Sequence, residues 1–352
     1  MLSMEDRASL IIGTTPPPDA AGDVIGLSRE GRPVRAFRFG RGPVRVSLLA
    51  GCHADEPVGP RLLRRLAGHL SSLDPEDPLL ATREWWIVPH ANPDGEERNR
   101  SWQAGEPGAY DLVAYLAGAV RELPGDDMEF GFPRDGSDED ARPENRAVHA
   151  WWRSAHGPFH LHVSLHGMAF GGGPWFLIEP AWRDRCGRLK ELCAACAALL
   201  GWKLHDVERG GEKGFFRIER GFATRPDSTL MAKHFRDQGD EATARFFRPS
   251  SMEAVRSLGG DPLTLVSEVP LFITPGVGDS LGPPDPRAEE WKKKIDRWRV
   301  QIVRGRPPGR VRACARSGCL EPMPVEDQMR LQWTMVAAGL EEVEARTSRT
   351  MT

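Results

Sequence analysis

The run VRVSLLA (Val44–Ala50) is apolar at nearly every position, and it limits the fold more than any other feature of the chain. A strand with apolar side chains on both faces has to be covered on both faces, which a half-exposed antiparallel sheet does not do. PVGPRLLRRLAGHLSSL follows, with Leu62, Leu63, Leu66 and Leu70 at helical spacing and arginines between them. The same alternation continues through EWWIVPHANPDG (strand into turn), RPENRAVHAWWRSA (helix), FHLHVSLHG (strand), WRDRCGRLKELCAACAALLG (helix), DPLTLVSEVPLF (strand) and PRAEEWKKKIDRWRVQIVRG (helix). Ahead of it, GLSREGRPVRAFRFGRGPVRV is strand, turn, strand. The pattern predicts a single α/β domain with a mixed, mostly parallel central sheet flanked by helices. We assign it residues 1–307, with an insertion at about 101–126 that is rich in Gly, Asp and Pro. Residues 308–352 form a short C-terminal helical extension carrying VEDQMRLQWTMVAAGLEEVEAR.

A formal net charge of -3 supplies no basic field of the kind that holds a nucleic-acid backbone, so nucleic acid is excluded as a partner. The chain has no apolar run of about 18 residues, and its start combines early acids with a short apolar stretch, so neither a membrane span nor a signal peptide is expected. The expectation is a soluble, cytoplasmic protein with no membrane partner. Its six cysteines are too sparse for a disulfide framework and are read as free thiols. Cys193 and Cys196 sit among alanines and leucines as on a buried helix face, and Cys314 and Cys319 lack a second ligand pair beside them.

Three predicted strand ends carry chemically capable side chains: His53 with Glu56, His166, and Glu268. In open α/β sheets ligands gather at the carboxyl ends of strands, so these residues can meet although they are far apart in sequence. Alone, His53 and Glu56 read as a polar pair at a helix entry, and Asp55 beside them as a capping acid. Together with His166 they make a two-histidine, one-glutamate ligand set for one zinc ion per chain, with a fourth position left to water. Zinc acidifies that water and polarises a carbonyl, and Glu268, off the metal, takes the proton. His160 and His162 share a strand face with His166 and are read as packing groups.

These residues and their order resemble the zinc metallocarboxypeptidases across roughly residues 24–275, and the related succinylglutamate desuccinylase and aspartoacylase group shares the HxxE pair. The resemblance is carried by IGLSREGRPVRAFRFGRGPVRVSLLAGCHADEPVG with its HxxE pair, by NPDG (Asn92–Gly95), RPENRAV (Arg142–Val148) and LHG (Leu165–Gly167), and by SSMEAVRSLGGDPLTLVSEVP. It implies zinc on His53, Glu56 and His166, with Glu268 as general base. It also implies an arginine after the NPDG turn that polarises the scissile carbonyl, here Arg98 or Arg100 beside Asn99.

Two departures bear on substrate. Where the family carries an Asn-Arg pair for a peptide's terminal carboxylate, DMEFGFP places Glu129 and Phe130, and the family's tyrosine before the catalytic glutamate is missing, since the only tyrosines are Tyr110 and Tyr115. Phe130 cannot replace a bidentate arginine, and Glu129 repels an anion if it faces the pocket. The expected function is therefore a zinc metallopeptidase of atypical specificity acting on a peptide or related amide. The alternatives are a small-molecule N-acyl amino acid deacylase and a non-catalytic peptide-binding relative. Substrate and oligomeric state are not legible.

Overall fold

The computed structural model describes residues 4–17, 22–105, 107–123, 125–134, 138–279, 285–305, 309–316 and 319–350. In it the apolar runs become one mixed sheet. Its strands are β1 (Asp23–Leu27), β2 (Pro33–Phe39), β3 (Val44–Ala50), β4 (Arg83–Val88), β5 (Leu161–Gly171), β6 (Trp175–Ile178), β7 (Arg217–Glu219), β8 (Phe222–Thr224), β9 (Leu263–Ile273) and β10 (Glu321–Pro322). They are ordered β1-β2-β4-β3-β5-β9-β6-β8-β7, with β10 on β9. The centre, β4-β3-β5-β9, is parallel. Antiparallel pairs flank it, and β6 with β8 adds one more parallel pair.

Both faces of the centre are covered, as the apolar β3 run requires. Trp85 and Trp86, adjacent on β4, are both fully buried and belong to two different apolar clusters, one on each side. Helix Val58–Ser71 and the C-terminal helix Val325–Thr350 cover the face that carries Leu161, Val163 and Leu165. On the other face, helices Pro143–Arg153 and Ser251–Ser257 enclose His162: the Trp152 ring packs edge-on against it at 5.3 Å, and Ser251 Oγ lies 3.1 Å from its Nε2. The C-terminal helix reaches the centre of the molecule, where Gln332 donates to the His166 carbonyl at 3.0 Å. The expected junction at 307–308 lies outside the described residues. No helix among the described residues is long and apolar enough to cross a membrane.

The sequence motifs meet as one hydrogen-bonded unit under the β3 end. Asp94 of NPDG accepts from Ser28 Oγ at 2.6 Å, the Glu30 amide at 3.1 Å and Arg32 at 2.8 Å, so it holds the SREGRP turn. Asn92 caps helix Pro93–Gln103 by accepting from the Gly95 amide at 3.0 Å. The chain leaves β3 through Gly51 at φ +69°, where an added Cβ would lie 2.5 Å from the His90 ring. Only glycine fits there, and this turn sets the position of His53. Cys314 and Cys319 are disulfide-bonded, which corrects the free-thiol expectation for that pair; the other four cysteines are free.

Candidate metal and substrate site

Three elements deliver the site. The loop after β3 carries His53 and ends at Glu56, just before the helix whose N-cap is Pro57. β5 carries His166 and β9 carries Glu268, and these two are register partners in adjacent parallel strands, so their side chains leave the same face of the sheet.

His53 Nδ1 lies 2.9 Å from Glu56 Oε1, His166 Nδ1 lies 3.0 Å from Glu56 Oε2, and the two Nδ1 atoms are 3.1 Å apart. Each imidazole turns its other nitrogen to a carboxylate: His53 Nε2 is 3.2 Å from Asp127 Oδ1, and His166 Nε2 is 3.0 Å from Glu129 Oε2. That arrangement keeps a proton on each Nε2 and aims each Nδ1 lone pair at the Glu56 carboxylate. Three lone-pair donors so placed repel one another unless a cation or protons sit between them. Two imidazoles and one carboxylate at this spacing fit zinc, with ligand bonds of about 2.0–2.2 Å.

The electrostatics agree with the geometry. Burial and Arg121 oppose a charged His53, yet Glu56 and Asp127 outweigh them and raise it to about 10. Burial likewise opposes charge on His166, but Glu56 and its hydrogen-bond partners raise it well above the usual imidazole range. Glu56 is held well below the usual carboxylate range, its burial overcome by His53, Arg121 and His166. The same field that draws protons into the cluster favours a dication there. Glu268 behaves oppositely: burial and the Glu56 charge push it up to about 7 against the pull of His166, His53 and Arg121.

Among the residues expected from sequence, the structure gathers His53, Glu56, His166, Glu268 and Glu129, with Phe130 on an adjoining wall. Glu129 is turned inward rather than toward a substrate. It accepts from the Ser251 amide at 3.1 Å, Ser251 Oγ at 3.0 Å and Ser164 Oγ at 3.2 Å, besides facing His166. Arg98, Asn99 and Arg100 are not brought to the cluster. Arg98 pairs with Glu30 and Arg100 with Glu97 on an exposed helix face. Asn99 is buried and spent on Gly95, Trp102 and both backbone groups of Val120.

The guanidinium at the site is Arg121, which sequence reasoning left inside the presumed insertion. Its Nη1 lies 3.1 Å from both Asp55 and Glu56. Asn99 fixes the neighbouring Val120, and Tyr115 of the same segment donates to Asp55 at 3.1 Å, so the segment serves to present Arg121. Asp127 was missed as well, although it stands two residues before Glu129. The one available signal was an isolated arginine in GAVRELPGDDMEF, ahead of a run of acids.

The zinc carboxypeptidase family profile matches residues 17–170. Among solved structures, carboxypeptidase A from Helicoverpa armigera is 13% identical, covering 97% of this chain and 71% of its own, with a TM-score of 0.48. The metallo-carboxypeptidases of Burkholderia cenocepacia (15% identity, 98% and 70% covered, TM-score 0.41) and Pseudomonas aeruginosa (15% identity, 97% and 70%, TM-score 0.43) are also similar. No curated protein matches the chain. The stretch that delivers all three lone-pair donors, residues 17–170, is thus similar in sequence to the zinc carboxypeptidase family.

Proposed function

We propose that the protein is a zinc-dependent hydrolase of metallopeptidase type, cleaving a peptide bond or the amide of an acylated amino acid. The observation that carries this reading is the convergence of His53 Nδ1, Glu56 and His166 Nδ1 within 2.9–3.1 Å, with Glu268 beside His166 on the next strand. His53, Glu56 and His166 would hold the ion, with Asp127 and Glu129 fixing the imidazole tautomers that allow it. When bound, zinc supplies Lewis acidity for the carbonyl and lowers the pKa of water to about 7.

The chain's own residues do the rest. Glu268, poised near 7, takes a proton from the attacking water and returns it to the leaving nitrogen as the C–N bond breaks. Arg121, held against Asp55 and Glu56, places fixed positive charge beside the carbonyl oxygen as its negative charge grows. The test is Glu268→Gln: zinc content should be unchanged while turnover of a peptide or N-acyl amino acid falls about 10²–10⁴-fold. Unchanged turnover would remove Glu268 from the mechanism.

A further inference from the structure

On the His53 side of the cluster a pocket of about 280 Å³ opens, just below the roughly 300–1,000 Å³ typical of small-molecule sites. It has two unlike ends. One holds His53 and Arg121. The other is an aromatic wall in which Phe130 packs edge-on against Phe247 at 5.5 Å and Phe247 stacks on Phe235 at 5.4 Å, with Met231 beside them. At the lip, Phe246 and Leu123 are 49% and 74% exposed, apolar surface that folding leaves in water. Apolar groups left at the mouth of a polar catalytic cleft mark a binding surface.

The charges at the polar end are already committed. Besides His53, Arg121 is the one basic side chain lining the pocket among the described residues, and its Nη1 is paired with Asp55 and Glu56 at 3.1 Å. Glu122 accepts from the Ala54 amide at 3.3 Å and from Asn92, and Asp127 from the Glu129 amide at 2.8 Å. Beyond the metal, whose open position the scissile carbonyl takes in the hydrolase reading, a carboxylate entering here meets Glu122 and Asp127, an arginine already paired with Asp55 and Glu56, and a wall of rings that offers no donor. Burying an anion without a dedicated partner is costly.

We infer that this pocket takes an uncharged aromatic or branched apolar group attached to the scissile amide, and that the enzyme does not select a free chain-terminal carboxylate. This rests on the hydrolase reading above. It makes the substrate a blocked or internal amide flanked by an apolar residue.

The experiment compares benzyloxycarbonyl-Gly-Phe with its C-terminal carboxamide as substrates of the zinc-loaded protein. In parallel, calorimetry measures binding of N-acetyl-phenylalanine and N-acetyl-phenylalaninamide. The amide should be preferred in both arms, and Phe246→Ala and Phe247→Ala should each weaken its recognition by about 10- to 100-fold while zinc content stays constant. Phe246 is half-exposed, so its replacement leaves the fold intact even if Phe247→Ala does not. Preference for the free acid, equal treatment of the two, or indifference to both substitutions overturns the inference. If neither compound is hydrolysed but the amide still binds through Phe246, the hydrolase reading fails and the pocket assignment stands.

Discussion

Glu129→Gln tests how His166 is held for the metal. The carboxylate of Glu129 is an acceptor on both oxygens: one faces the Ser251 amide and hydroxyl, the other His166 Nε2 and Ser164 Oγ. A glutamine keeps one oxygen and gains an NH2. The Ser251 amide is a fixed donor, so the oxygen stays there and the NH2 is left facing His166 Nε2. His166 must then carry its neutral-form proton on Nδ1, the atom aimed at Glu56, or leave two donors opposed at 3.0 Å. An unmet buried donor costs about 1–3 kcal/mol, and losing the partner of a metal-ligating imidazole typically costs about 10–100-fold in metal affinity. In the zinc-free protein Nδ1–H can still donate to Glu56, although the support that Glu129 gives the His166 charge is lost. Zinc titration against a competing chelator should therefore show about 10–100-fold weaker binding, beside a lowered zinc-free melting temperature. Zinc affinity within about twofold of wild type would refute the tautomer argument.

Glu268 sets the pH dependence. Its pKa is raised to about 7, so kcat/KM should climb as pH rises through that value, and Glu268→Gln should erase this limb from whatever activity remains. The linkage has a defined sign: a carboxyl raised on folding stabilises at low pH and loses that contribution as pH rises toward 7, so Glu268→Gln should gain relative stability in alkaline urea titrations. Arg121→Ala should lower kcat by about 10²–10³-fold with zinc retained, whereas Arg98→Ala and Arg100→Ala should stay within about twofold of wild type in steady-state assays. Gly51→Ala forces a side chain to φ +69° against His90 and should cost about 2–4 kcal/mol in denaturant unfolding.

How legible this was depended on the range of the physics involved. β3 was readable because an apolar run with no polar face has one kind of environment, and the helix after it because leucines at 3.6-residue spacing have one kind of face. The meeting of His53, Glu56, His166 and Glu268 was readable because strand ends of an α/β sheet share an edge. Arg121 was not, because it reaches the site from a loop-and-helix segment whose course is set by tertiary bonds such as Asn99 to Val120. Glu129 was placed near the site, but its direction depends on Ser251, 122 residues away. The aromatic wall joins Phe130 to residues 231–247, which no local pattern relates. The covering role of helix Val325–Thr350 likewise appears only in contact with β5 and β9.

The most direct test of the central claim is the zinc content of the purified chain before and after chelation, measured alongside His53→Ala. About one zinc per chain is expected, removable and restorable, and lost in the variant. A wild-type protein that takes up no zinc on incubation, or a His53→Ala protein that keeps it, would rule out zinc on His53, Glu56 and His166.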